Sequence, residues 1–206
     1  MADTVSVDVR ESGSGLDGAA APSKPTRRPT KARSPLRSVA LPSEHGGWGL
    51  TLEPVLLGLL VAHSVAALCL GLATVLAFLA RTPLKLAAVD ARRGRTLDRT
   101  RLARKVAAVE IVALVALLAV AFATATPGFW WPILGIAPLM AVELSYDIRS
   151  RSRRLVPELA GAVGIAGMTS MMVLAGGRST SVALGLWAIL AARAIAAIPT
   201  IRAQVM

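Results

Sequence analysis

Long apolar stretches separated by short polar or basic segments make up most of the chain. The first stretch, residues 50–80, is interrupted only by Glu53, His63 and a few hydroxyl side chains. A membrane-spanning helix needs about 20 apolar residues, so this stretch is too long for one upright helix. We therefore predict two helices joined by a tight turn near His63, of which the first begins at Gly46 and the second continues past Arg81.

The rest of the chain repeats this alternation of apolar stretches and turn signals. Thr126-Pro127-Gly128 and Gly176-Gly177-Arg178 have the composition of tight turns, and each separates two apolar stretches. The pattern predicts four more helices, over residues 106–125, 132–147, 157–175 and 182–201. The predicted fold is therefore all-α, a polytopic membrane bundle of about six transmembrane helices in three hairpins.

Arginine and lysine side chains are concentrated between the predicted helices. One basic loop covers residues 92–105 and another covers residues 149–154. Because basic loops stay in the cytoplasm, three hairpins place both loops and both termini there. A single helix over residues 50–80 would instead separate the first loop from the basic N-terminal segment. The charge pattern thus supports the three-hairpin arrangement.

The first 40 residues differ in composition from the remainder of the chain. They contain serine, proline, glycine and charges of both signs, with the basic side chains close to the first apolar stretch. Such a segment cannot bury enough apolar surface to fold. We predict a disordered basic tail over residues 1–40, whose basic part holds the N-terminus in the cytoplasm and could also rest on anionic lipid, and a transmembrane bundle over residues 41–206.

The overall composition agrees with a membrane protein. The 206 residues are 54% hydrophobic and 17% charged, which is too apolar for an ordinary soluble domain. A net charge of +11 would suit nucleic acid, but the basic side chains lie in the tail and in short loops beside apolar helices. We therefore expect membrane lipid as a partner and no nucleic acid.

Two acids and an imidazole stand where the tail meets the first predicted helix. Glu44 and His45 precede this helix, and Glu53 lies within its apolar stretch. Ionisable groups at membrane depth are costly and usually line a protein interior or a wet cavity, so these three residues are the candidate catalytic residues. The alternative is that Glu44 and His45 lie in the headgroup layer, where Trp48 anchors the helix.

Two carboxylates share one face of the predicted fourth helix. Glu143 and Asp147 are four residues apart, about 40° around the helix axis, and should repel each other unless a cation lies between them. This spacing suits a metal ion or an arginine. Carboxylate ligands favour Mg²⁺, and Asp90 is the third carboxylate that could carry a cation bridging to an anionic ligand. The alternative is a solvated helix end beside Arg149.

Four basic residues near the end of the predicted second helix are candidate ligands for an anion. They are Arg81, Lys85, Arg92 and Arg93. Planar guanidinium donors bind phosphate in a bidentate manner. This set therefore predicts a phosphorylated lipid or small anionic ligand as a partner.

Glu110 and Arg193 lie inside predicted helices, without an opposite charge three or four residues away. Charges of this kind rarely stay unpaired in lipid, so the partner must come from another helix. We predict that Arg193 faces the bundle interior and contacts Glu53 or Glu110. Glu110 and Arg193 join the candidate ligand-binding residues.

Small residues recur at three- and four-residue spacing in the predicted fifth helix. They are Ala160, Gly161, Gly164 and Gly167. Small side chains let membrane helices approach closely. The pattern therefore predicts a central position for this helix in the bundle.

Several short motifs together resemble those of a known family. They are Pro42-Ser43-Glu44-His45-Gly46-Gly47-Trp48, Arg81-x-Pro83-Leu84 with Asp90-x-Arg92-Arg93-Gly94, and Tyr146-Asp147 with Pro157-Glu158-Leu159-Ala160-Gly161. With these motifs the chain resembles the YwiC-like family of bacterial membrane proteins over about residues 41–202. The resemblance implies a multi-pass protein of the bacterial cytoplasmic membrane, and it implies a location and a fold more than a reaction.

A looser resemblance is to the UbiA-type prenyltransferases, whose helical bundle binds an isoprenoid diphosphate through two Asp-rich motifs and Mg²⁺. Asp90 stands where the first motif belongs, and Asp147 stands where the second begins. Both motifs are incomplete, because Gly94 and Arg151 follow these acids at four residues. For an enzyme, the resemblance implies a prenyl or related transferase.

Three functions remain open from the sequence. The first is binding or transfer of an anionic ligand, phosphorylated or an isoprenoid diphosphate, in a polar pocket open to the cytoplasm. The second is a small secondary transporter in which Glu53, Glu110, Arg193 and His45 form a relay for protons or substrate. The third is a non-catalytic scaffold whose basic loops recruit lipid or a partner. A homo-oligomer is compatible with all three.

Overall fold

The computed structural model describes residues 45–94, 97–149 and 154–205. Within these ranges the chain forms six α-helices and no strand, which confirms the predicted all-α fold. In chain order the helices are α1 (His45–Val61), α2 (Val65–Arg92), α3 (Asp98–Thr124), α4 (Ile133–Ile148), α5 (Leu155–Ala175) and α6 (Thr180–Val205). The predicted tail, residues 1–40, lies outside the described residues.

Within the described ranges, four helices (α2, α3, α5 and α6) are long and apolar enough to cross a membrane. α1 and α4 are shorter, with 17 and 16 residues. At 1.5 Å per residue, α4 covers about 24 Å, against about 30 Å for the hydrocarbon core of a bilayer. The chain is therefore an integral membrane protein with four helices of crossing length and two shorter ones.

Turn residues separate the helices where the sequence predicts them. The turn between α1 and α2 contains His63, and Ser64 caps α2 because its Oγ accepts a hydrogen bond from the N–H of Ala67 (3.1 Å). Gly128 and Gly177 adopt φ values of 84° and 77° in two later turns. Glycine takes this left-handed conformation without steric cost. All three predicted turns are thus confirmed.

α5 lies at the centre of the bundle and packs against α1, α2, α4 and α6. Its glycines allow this close packing. A Cβ atom on Gly164 would lie 2.8 Å from Sδ of Met140, and one on Gly167 would lie 2.6 Å from Cγ1 of Ile136. Helices that meet through small residues are common in membrane proteins. The predicted central position of this helix is confirmed.

α3 lies at the edge of the bundle and packs mainly against α2. Over the described residues, α3 and α4 make little contact, although they are consecutive in the chain. The first and third helix pairs are packed hairpins, whereas the second is a reversal of the chain without extensive packing. The physical reason is that α4 packs instead against the small residues of α5.

The connecting turns meet at one end of the bundle, which we call the tight-turn end (residues 61–64, 125–132 and 175–180). Here the N–H of Thr126 donates to the carbonyl of Ala175 (3.2 Å). Nε of Arg178 donates to the carbonyl of Val61 (3.1 Å). The opposite end, which we call the basic end, contains the last turns of α2, α4 and α6 and the first turns of α3 and α5.

The apolar core lies in the half of the bundle near the tight-turn end. Leu70, Met172 and Val173 are fully buried there, and the rings of Phe129 and Phe122 meet edge to face with centroids 4.9 Å apart. Buried carboxylates lie in the other half, because Asp90, Glu143 and Asp147 all belong to the basic end. The fold therefore separates an apolar half from a half that carries the charged groups.

Candidate functional site

Arg81 of α2 bridges two carboxylates of α4. Its Nη1 lies 2.7 Å from Oε1 of Glu143, and its Nε donates to Oδ2 of Asp147 at 2.9 Å. Lys85, one turn further along α2, places Nζ 2.5 Å from Oδ1 of Asp147. Each helix contributes two residues four positions apart, so both pairs face the other helix. We call these four residues the α2–α4 cluster.

The α2–α4 cluster neutralises two buried acids with two basic side chains. The side chains of Glu143 and Asp147 are 11% and 4% exposed. Two buried carboxylates on one helix face would be strongly unfavourable without a cation between them. The sequence left a metal ion or an arginine as alternatives for that cation, and the structure has Arg81 in this position.

Gly161 of α5 makes room for the carboxylate of Glu143. A Cβ atom at this position would lie 2.5 Å from Cδ, 2.6 Å from Oε2 and 2.8 Å from Oε1 of Glu143. Any larger residue would thus compete with the carboxylate for the same space. The small-residue pattern of α5 therefore serves the charged cluster as well as helix packing.

Arg92 lies on the same face of α2 as the two basic residues of the cluster. At 100° per residue, positions 81, 85 and 92 fall within about 40° of one another around the helix axis. Nη1 of Arg92 donates to the carbonyl of Ile148 in the last turn of α4 (3.1 Å). This contact satisfies a C-terminal carbonyl and places a positive charge at the negative end of the helix dipole. Arg93 is exposed and turned further round the helix.

Asp90 points to the opposite side of α2 and binds α3. It follows Arg81 by nine residues, which corresponds to about 180° around the axis. Its Oδ2 accepts a hydrogen bond from Oγ1 of Thr100 (2.5 Å), and Nη2 of Arg99 lies 3.6 Å from its Oδ1. Asp90 therefore joins α3 to α2.

The candidate metal residues are not gathered into one site. Asp90 binds α3, whereas Glu143 and Asp147 are paired with basic residues of α2. Among the described residues, no group of three or more histidine, cysteine, aspartate or glutamate side chains could hold a metal ion. Because their oxygens already face cations, these acids do not fit a Mg²⁺ site in this arrangement.

Arg193 of α6 forms an ion pair with Glu53 of α1 through Nη1 and Oε2. The predicted contact between these residues is thus confirmed. The expectation that Arg193 faces the bundle interior is wrong, since the side chains of Arg193 and Glu53 are 58% and 36% exposed. The reason is that α6 packs extensively against α5 alone and leaves its other faces open. An arginine at the centre of a membrane helix costs about 2.5–3.5 kcal/mol on insertion scales, so an exposed pair here is unusual.

The remaining predicted site residues are not brought into these contacts. Glu110 lies on α3, and its Oε2 is buried without a hydrogen-bond partner among the described residues. It is therefore separate from the Glu53–Arg193 pair. Glu44 and the side chain of His45 lie outside the described residues, so their predicted role stays a prediction.

A further ion pair was not predicted from the sequence. Nη1 of Arg202, in the last turn of α6, lies 2.8 Å from Oε2 of Glu158, in the first turn of α5. A signal was present, because an antiparallel α5–α6 hairpin places the first turn of one helix beside the last turn of the other. The pair secures α6 at the basic end.

Comparison with known proteins assigns a family to this arrangement. A family model described as YwiC-like protein matches residues 41–175, about two thirds of the chain. The chain belongs to the YwiC-like family. The YwiC-like region extends to the last residue of α5 and includes the whole α2–α4 cluster, whereas α6 lies beyond it. The resemblance expected to reach about residue 202 is thus confirmed as far as residue 175. No curated protein and no solved structure matches the chain.

Proposed function

We propose that this integral membrane protein binds an anionic, phosphorylated ligand at its basic end. The observation that carries the proposal is the α2–α4 cluster, in which buried carboxylates hold two basic side chains in fixed positions. Arg81 and Lys85 remain 34% and 40% exposed, whereas their acidic partners are buried. The cluster therefore presents positive charge outward, on a face that continues to Arg92.

The distribution of charge supports an anionic ligand at this end. Away from the tight-turn end, the described residues include seven acidic side chains and twelve basic ones, which are Arg81, Lys85, Arg92, Arg93, Arg99, Arg101, Arg104, Lys105, Arg149, Arg154, Arg193 and Arg202. At the tight-turn end, His63 and Arg178 are the ionisable residues within the described ranges. Such asymmetry creates a positive potential that attracts phosphate groups.

The same asymmetry supports an orientation in the membrane. Basic segments next to membrane helices stay in the cytoplasm. On this proposal the basic end lies at the cytoplasmic face of a bacterial inner membrane, both termini are cytoplasmic, and all six helices form the membrane bundle. α1 and α4, the two shorter helices, would then reach across a locally thinned bilayer or end below its surface.

The chemistry shared by the candidate ligands is a phosphate group. Guanidinium groups bind phosphate oxygens bidentately, and an ammonium group adds a point charge. A phospholipid headgroup and an isoprenoid diphosphate both provide this group beside an apolar chain. Metal-dependent prenyl transfer receives less support than binding, because the acidic side chains of the cluster are paired with Arg81 and Lys85.

A direct binding measurement tests the proposal and separates the two ligand sources. Purified protein in nanodiscs of neutral lipid is mixed with phosphatidic acid, a labelled isoprenyl diphosphate or inorganic diphosphate, with and without Mg²⁺. We expect Lys85→Gln and Arg92→Gln to weaken binding about tenfold each, the effect of one charge-assisted hydrogen bond. Lys105→Gln, on exposed α3, is the matched control and should bind as the unmodified chain does.

The outcomes of this measurement are distinct. Binding of phosphatidic acid alone identifies a lipid headgroup as the ligand, and binding of the isoprenyl diphosphate alone identifies a diphosphate substrate. No binding of any of the three probes, or an equal loss in Lys105→Gln, would contradict the proposal.

The transporter alternative has one supporting observation, which is the Glu53–Arg193 ion pair within apolar helices. Charged pairs in this position mark ion and substrate pathways in membrane proteins. Flux of a phosphorylated solute into proteoliposomes, lost in Glu53→Gln and kept in Lys85→Gln, would favour transport over binding at the basic end.

A further inference from the structure

We propose that two copies of the chain associate in the membrane through the surface around the Glu53–Arg193 ion pair. We call it the α1/α6 surface and define it by Gly49, Glu53, Leu56, Ile189 and Arg193. This inference goes beyond ligand binding at the basic end and does not depend on it.

The position of the pair along its helices gives the first step. Arg193 lies thirteen residues after the start of α6 and twelve before its end, about 18–20 Å from each. It belongs to a helix of membrane-crossing length. Glu53 lies eight residues, or about 12 Å, from the start of α1. The pair therefore lies near the middle of both helices.

Exposure of this pair gives the second step. Glu53 and Arg193 retain 36% and 58% of their side-chain surface uncovered. Hydrocarbon is a poor environment for both groups, and such residues normally face a protein interior or a wet cavity. Among the described residues, α6 packs extensively against α5 only, and the ion pair with Glu53 of α1 still leaves most of the Arg193 side chain uncovered. In the bilayer, a further molecule would cover the exposed part of the pair.

Charge complementarity identifies a second copy as that molecule. The ion pair joins two helices, so the acid and the base lie side by side at one depth in the membrane. A twofold axis perpendicular to the membrane keeps each residue at its depth and turns the two copies to face each other. The left side of the surface on one copy then meets the right side of the same surface on the other. It therefore places Glu53 of each copy opposite Arg193 of the other. Four charges of alternating sign then neutralise one another in a site that excludes lipid.

The surroundings of the pair suit close contact between helices. A Cβ atom on Gly49, one turn before Glu53, would meet no other atom within 4 Å. Leu56 and Ile189 flank the charges and are 58% and 63% exposed. A glycine beside exposed branched side chains allows two helices to approach and seal a polar contact. The α1/α6 surface thus combines complementary charge with an apolar rim.

Disulfide formation between differently tagged copies tests the arrangement in a lipid bilayer. In a Cys69→Ala background, one copy carries Glu53→Cys and the other carries Arg193→Cys. In a mixed dimer the two new thiols face each other at one contact, while the native Arg193 and Glu53 pair at the other. We expect a linked product with both tags, and about tenfold less product from either variant alone, where a thiol faces a charged residue.

A matched control measures random collision. Val112→Cys replaces a 70% exposed residue near the middle of α3, at a distance from the helix ends comparable with that of Arg193 in α6. α3 packs mainly against α2, whereas α6 packs mainly against α5, so Val112 belongs to a different surface of the bundle. Its cross-linking should stay about tenfold below that of the mixed pair, as expected for a surface without charge complementarity. A mixed-tag yield no higher than this control would overturn the proposal.

Energy transfer between labelled copies in neutral-lipid vesicles provides a second readout that does not use new thiols at the surface. We expect Glu53→Gln to weaken self-association about tenfold, and Glu53→Arg combined with Arg193→Glu to restore it. Monomers at all protein-to-lipid ratios would overturn the proposal. Monomers that retain anionic lipid at Arg193 would do so as well, and would show that lipid covers the pair.

Discussion

A Cβ atom added to Gly161 would lie 2.5 Å from the carboxyl carbon of Glu143, so α5 and α4 share one packing space at this point. The carboxylate cannot simply swing away, because it is buried and held by Arg81. We therefore expect Gly161→Ala to displace Glu143 and to lower the free energy of unfolding by about 1–3 kcal/mol.

The measurement is reversible unfolding of the purified protein in mixed micelles. Gly185→Ala is the matched control, because the added methyl group would meet nothing within 4 Å, alanine favours a helix and the position is not among the residues that define the α1/α6 surface. Gly161→Ala combined with Glu143→Ala should recover part of the loss. If both glycine variants unfold alike, the proposed competition for space does not exist.

Arg81 supplies the charge that two buried acids share. We expect Arg81→Gln to destabilise the fold by about 3–5 kcal/mol, the effect of leaving a buried charge without its partner. Arg81→Lys should recover only part of this, because one ammonium group cannot reproduce the planar arrangement that reaches both Glu143 and Asp147.

Arg93→Gln is the control for loss of one positive charge at the same end, since Arg93 is exposed. Its effect should stay below about 0.5 kcal/mol. Adding Glu143→Gln to Arg81→Gln should restore stability in part, because one of the stranded charges is removed. A stability of Arg81→Gln equal to that of Arg93→Gln would show that the cluster contributes little.

Asp90 links α3 to the remainder of the bundle, and α3 packs mainly against α2. We expect Asp90→Ala to loosen the start of α3, with faster amide hydrogen exchange over residues 97–105 and unchanged exchange in α5. Thr100→Val should give a smaller effect, about 1 kcal/mol, because it removes one hydrogen bond. Arg99→Gln should be nearly neutral, since the Arg99 side chain is exposed and its ion pair with Asp90 is long (3.6 Å). Uniform exchange changes across all helices would contradict this local role.

Local features of the fold were predictable from the sequence because they depend on neighbouring residues. Apolar runs and turn residues gave the order of the helices, and the glycines of α5 gave its central position. What these patterns do not contain is the packing partner of each helix. α3 and α4 are consecutive, yet each packs mainly against another helix, because contact depends on side-chain shape across the bundle.

Part of the site was also predictable. Two acids four residues apart required a cation between them, and Arg81 with Lys85 shows the same spacing on α2. The orientation of Asp90 could have been calculated, since nine residues correspond to half a turn beyond two full turns from Arg81. The resemblance to Asp-rich motifs instead grouped Asp90 with Asp147. The exposure of Arg193 was not predictable, because it depends on how many helices surround α6.

The proposed orientation of the basic end leads to a last prediction. In a Cys69→Ala background, Arg99→Cys lies in the first turn of α3 and Arg178→Cys lies at the tight-turn end, and both side chains are exposed. We expect a membrane-impermeant maleimide added to intact cells to label position 178 and to leave position 99 unlabelled until the membrane is opened. This follows because basic segments beside membrane helices stay in the cytoplasm. Labelling of position 99 alone from outside would show that the bundle has the opposite orientation, with the phosphate-binding face away from cytoplasmic ligands. Labelling of both positions from outside would indicate an even number of crossings between them, instead of the three expected from α3, α4 and α5.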